Sequence, residues 1–103
     1  MKTWAGRSKF KYDGSVDTGT RIFFGKNSYS VSVSKNQYDR LRQRFLNQTV
    51  DIGTSRDNPP QGSLGTWLQK NVTKTAIASY VGPILIEEGY AEKIGKHEIR
   101  VVR

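Results

Sequence analysis

The chain has 103 residues, with 17 Lys and Arg against 9 Asp and Glu, a formal net charge of +8 and no cysteine. That length suits one domain with a core large enough to hold without disulfides or metals, and the missing cysteine excludes a disulfide framework and a thiolate zinc site. No stretch approaches the ~18 consecutive apolar residues of a membrane-spanning helix, and Met1 to Arg7 holds no apolar run of a signal peptide, so a cytoplasmic protein without membrane contact is expected.

Residues 1–8 look loosely held apart from Trp4, which can dock. Lys9 to Tyr12 is a short basic-aromatic strand, followed by turn chemistry at Asp13-Gly14-Ser15 and Asp17-Thr18-Gly19. Thr20 to Phe24 is a second strand, rich in branched and aromatic residues. Gly25-Lys26-Asn27 is a hairpin turn, and Tyr29 to Val33 alternates apolar and small polar residues as a half-buried strand does. Residues 1–34 therefore form a β-hairpin or a small antiparallel sheet.

Ser34, three residues before Gln37, predicts a capping box, and Val33 with Tyr38 a hydrophobic staple. Tyr38, Leu41 and Phe45 then fall on one helix face, with Arg40, Arg42 and Arg44 off that seam. Asn47 is a stop. Gln48 to Ile52 reads as a short strand, and Gly53 to Gln61, with Pro59 and Pro60, as a loop.

From Gly62 the pattern is helix, turn, helix, strand, strand. Leu64, Trp67 and Leu68 make the apolar face of the first helix. Val72-Thr73 makes the turn, and Thr73 is a good cap for a second helix over Thr75 to Glu88. Ile77, Val81, Ile84 and Leu85 line that helix on one side, while Lys74, Thr75, Ala78 and Ser79 carry no acid on the other. Pro83 removes a helical hydrogen bond, so the segment either kinks at Gly82 or divides. Gly89 ends it, and strands Tyr90–Ile94 and His97–Val102 flank Gly95-Lys96.

This order over residues 35–103, with the run Ile84-Leu85-Ile86-Glu87-Glu88-Gly89-Tyr90-Ala91-Glu92 at its centre, resembles the winged helix-turn-helix superfamily. The resemblance implies an α+β fold, a winged-helix core at 35–103 behind the 1–34 extension, and double-stranded DNA as the partner of a regulatory or accessory protein. In such a unit the second helix of the pair enters the major groove by its early residues. Thr75, Ser79 and Ala78 would then read bases, with Thr73 at the helix start. Lys70, Lys74, Arg40, Arg44 and the wing residues Lys93 and Lys96 would hold phosphates, with a solvated helix face the alternative for Arg40 and Arg44; Arg56, in the loop before the helix pair, either reaches a minor groove or pairs with Asp57 or Asp51. The Gly82-Pro83 pair, the short wing turn and the Pro-Pro loop depart from the family pattern.

Residues 1–48 hold 10 basic and 3 acidic side chains, residues 49–103 7 and 6, and a basic field of this kind attracts polyanions. Lys9, Lys11, Arg21 and Lys26 surround Phe10, Tyr12, Phe23 and Phe24. Two readings stand: core aromatics beside lysines that solvate a strand edge, or a stacking platform for RNA or single-stranded DNA. A third function class is a protein-interaction module, with an edge strand of the N-terminal hairpin forming a homodimer. Catalysis is not expected, nor a cofactor or metal. The one histidine, His97, has no nucleophile or carboxylate partner in sight, Gly62-Ser63-Leu64-Gly65 lacks the lysine of a phosphate loop, and Asp51 with Asp57 does not complete a nuclease set.

Overall fold

Two three-stranded antiparallel sheets and three helices make up the fold in a computed structural model that describes residues 1–103. Strands β1 (Lys11–Ser15), β2 (Gly19–Phe24) and β3 (Tyr29–Ser34) form a meander in the order β1-β2-β3. Strand alternation sorts its residues: Thr20, Ile22 and Val33 are buried, while Lys11, Arg21, Ser30 and Ser32 lie on the open face. The first strand starts later than expected and runs through Asp13-Gly14-Ser15. The chain reverses instead at residues 16–18, where the Thr18 N–H donates to the Ser15 carbonyl at 3.3 Å. Gly14 permits this with a φ of +84°; a Cβ there would stand 2.1 Å from the Gly19 carbonyl oxygen, a clash that only glycine avoids.

Helix α1 (Lys35–Phe45) opens on the predicted capping box. The Gln37 N–H donates to Ser34 Oγ at 3.1 Å, and the Ser34 N–H to Gln37 Oε1 at 2.8 Å. Tyr38, Leu41 and Phe45 face inward. Strand β4 (Thr49–Asp51) follows, then the 53–61 loop, then α2 (Leu64–Asn71), whose N-terminal residue Ser63 accepts from the Thr66 N–H at 3.1 Å. Strands β5 (Ala91–Lys93) and β6 (Glu98–Val101) join β4 in a sheet of order β4-β6-β5.

Helix α3 spans Ala78–Glu87, three residues shorter at its start than predicted. Thr73 does not cap it. Its hydroxyl accepts from the Thr75 N–H at 3.4 Å in a local turn, and Ile77 stands at the helix start without a side-chain hydrogen bond. A threonine bonding its own backbone two residues on offers the chain an alternative to helix, which is why Lys74 to Ala76 stay outside.

Pro83 lies inside α3, which continues through it. Having no N–H, it leaves the Ser79 carbonyl without its intrahelical donor, and the Trp4 N–H donates to that oxygen at 2.9 Å. The N-terminal segment is thereby fixed rather than loose. It folds back on itself, with the Thr3 N–H donating to the Ser8 carbonyl at 2.9 Å and the Phe10 N–H to the Met1 carbonyl at 2.8 Å.

The first sheet packs along α3. Phe24 stacks on Tyr80 with ring centroids 4.6 Å apart, and Phe10 meets Tyr80 edge-on at 5.1 Å. At the far end of the helix, Glu88 accepts from the Tyr12 hydroxyl at 2.7 Å and the Val16 N–H at 2.9 Å. One buried apolar cluster therefore runs from Trp4 to Val101 and takes residues from both sheets and all three helices. No helix is long and apolar enough to cross a membrane.

Candidate nucleic-acid interface

The expected reading edge of α3 is not available. Ala78 is 1% exposed and belongs to the core. It therefore cannot touch a base, a correction to the sequence expectation. Ser79 is half-buried and its carbonyl is bonded to Trp4; Tyr80, next along, lies under Phe10 and Phe24. Thr75 is exposed, but in the turn before the helix, with Thr73 half-buried beside it and Lys74 exposed. Ala78 stands three residues before Val81 and seven before Leu85 and shares their buried stripe,, while Tyr80 packs against Phe24 of the first sheet.

The remaining predicted residues scatter. Lys70 is exposed at the end of α2. On α1, Arg40 is exposed, while the Arg44 guanidinium lies 4.9 Å from the Phe45 ring centroid and bonds Gln48 Oε1 at 3.4 Å. Arg42, between them and not among the predicted contacts, is engaged by Tyr90, 4.5 Å from its guanidinium, and by the Arg103 carbonyl. Arg56 is exposed in the loop, its carbonyl held by Gln69 Nε2 at 2.9 Å.

Lys93 and Lys96 are different, because the fold brings them into one cleft. It has a volume of about 310 Å³, and its walls are Trp4, Ala5, Arg7, Thr54, Lys93, Lys96 and His97. Four of the seven are basic or imidazole groups and none is a carboxylate. Trp4 builds it: its indole Nε1 donates to the Lys96 carbonyl at 2.8 Å, its own carbonyl accepts from Lys93 Nζ at 3.3 Å, and that ammonium sits 4.6 Å from the ring centroid. None of the sheet's acidic residues Asp51, Glu92 and Glu98 lines the cleft. Glu92 faces Arg100 in the β5–β6 register, and Asp51 faces Glu98 across β4–β6.

Sequence reasoning missed Arg7 and the role of Trp4. A tryptophan in an otherwise polar N-terminus was the available signal. A second cleft, of about 350 Å³, opens on the other flank of the N-terminal segment, among Met1, Lys9, Phe10, Lys11, Phe23, Phe24, Gly25 and Ser28. Between the two, Lys2 pairs directly with Lys9 in an antiparallel bridge. The Lys35–Asp39 and Arg42–Asp39 contacts, at 2.8 and 3.9 Å, are on α1 and neutralise neither cleft.

No family model matches the chain, and no significant match to it was found among curated proteins or solved structures. The chain is a compact α+β domain with two basic clefts flanking its N-terminal segment.

Proposed function

We propose that this protein binds nucleic acid by its phosphate backbone, with Arg7, Lys93, Lys96 and His97 as the principal grip. The observation that carries the reading is the cleft those residues share with Trp4, which no carboxylate lines. A net charge of +8 supplies the long-range attraction,. The succession α1, β4, α2, α3, β5, β6 with sheet order β4-β6-β5 supports a winged helix-turn-helix architecture. In that architecture Lys93 and Lys96 belong to the wing. Duplex DNA fits this grip as a set of phosphates, with Lys70 and Lys74 as further contacts. With Ala78 and Tyr80 turned into the protein, α3 supports the fold instead of reading a groove. That points to an accessory binder indifferent to sequence over a sequence-specific regulator.

Labelled duplex and single-stranded oligonucleotides, titrated at two salt concentrations, test the proposal. Affinity should fall steeply with salt. Lys96→Glu should weaken binding to unrelated sequences alike and lower the salt slope by about 0.7–0.9 or more. Salt-insensitive or absent binding to both kinds of oligonucleotide would sink it.

A further inference from the structure

Of the four phenylalanines, Phe10 and Phe45 lie in the core and Phe24 packs against it. Phe23 does neither; it is half-buried on the open face of the first sheet and does not join the apolar cluster. The strand register sets Lys11 directly across from it on β1 and Ser30 on β3. Arg21, two residues back on the same face, places its guanidinium 5.5 Å from the Phe23 ring centroid. Asp13, opposite Arg21, is the acid on that face of β1; it does not line the 350 Å³ cleft that Phe23 shares with Lys9 and Lys11.

We propose that this cleft is a nucleotide subsite that takes one unpaired base of a single-stranded nucleic acid, stacked on Phe23 with its neighbouring phosphates on Lys9 and Lys11. The inference rests on the nucleic-acid reading above and adds to its phosphate grip a subsite for single strands. An aromatic ring left out of the core, with cations to either side, is the arrangement that combines stacking with a backbone grip. The floor of the cleft is rigid, because Phe24 and Phe10 are held against Tyr80. Ser28, which also lines the cleft, takes its left-handed φ of 54° in the tight turn that joins β2 to β3,. The volume of about 350 Å³ lies within the range of ligand pockets, roughly 300–1,000 Å³, and is large enough for a single base,.

The test is fluorescence titration of the full chain with three probes: oligothymidylate, an abasic strand of equal length, and a duplex. Wild type should bind oligothymidylate more tightly than the abasic strand. Phe23→Leu should reduce oligothymidylate affinity on the order of 5- to 100-fold, while leaving the abasic strand, the duplex and the salt slope unchanged. Phe23→Tyr should bind as wild type, which separates loss of stacking from loss of fold. If Phe23→Leu binds oligothymidylate as wild type does while Lys96→Glu loses affinity, the subsite is wrong and phosphate binding stands. If wild type binds none of the probes, both proposals fail together.

Discussion

The indole of Trp4 occupies the space where position 82 would carry a side chain: a Cβ built on Gly82 would lie 3.0 Å from Trp4 Cε3 and 2.8 Å from Ile52 Cδ1. A glycine in mid-helix costs about 1 kcal/mol relative to alanine. Here the absent methyl lets an aromatic ring from the N-terminus lie close against α3. The same ring then holds Lys93 and Lys96 at the basic cleft through the contacts described above.

Gly82→Ala should therefore lower stability despite its better helix propensity. Overpacking costs about 1–3 kcal/mol, set against a gain of about 1 kcal/mol in propensity, so a net loss of roughly 0–2 kcal/mol is expected, with a shift in Trp4 emission. Urea unfolding and fluorescence in a Trp67→Phe background measure both. Unchanged emission together with raised stability in the Gly82→Ala variant would mean that the ring does not rest on this helix.

Local signals in the sequence were legible where a few neighbouring residues decide the outcome. Ser34 and Gln37 form their reciprocal cap because the partners are three positions apart,. The loop after Ile52 follows from its prolines and glycines. Trp4 and Ser79 were not legible as partners. Their contact joins distant parts of the chain and exists because Pro83 withholds a donor, so a proline that reads as helix-breaking punctuation serves as a docking cue. Ala78 was legible as core, since it stands three residues before Val81 and seven before Leu85 on one stripe of α3, and setting it on the opposite face misplaced it,. Tyr80 was not legible in this way: it packs against Phe24 of the first sheet and Phe10 before it, a layer of which periodicity within α3 carries no trace.

Thr20 and Tyr38 share a buried hydroxyl–hydroxyl bond of 2.7 Å that ties β2 to α1. Thr20→Val keeps the shape and leaves the Tyr38 hydroxyl without a partner in the core. The expected loss is about 1–3 kcal/mol. Adding Tyr38→Phe should recover much of it, since removing both polar groups leaves nothing unsatisfied. Equilibrium denaturation of the two single variants and the double variant gives the coupling; strict additivity would show that the bond contributes nothing.

Alkaline pH should weaken the joint between the first sheet and α3. Burial, then the hydrogen bond to Glu88 and the charges of Glu88 and Glu87, push the Tyr12 phenol from 10.0 up to about 12. Burial also pushes the Tyr38 and Tyr80 phenols upward. In each case the unfolded chain loses its proton first, so the stability linked to the phenol is complete below pH 10 and declines as pH rises towards 12,. Tyr12→Phe should flatten part of that decline, and Glu88→Gln should do so by a smaller amount, because burial of the phenol remains. Urea midpoints followed from neutral pH into this range read the slope directly. If wild type and Tyr12→Phe lose stability in parallel, the Tyr12–Glu88 contact does not bear on the alkaline transition.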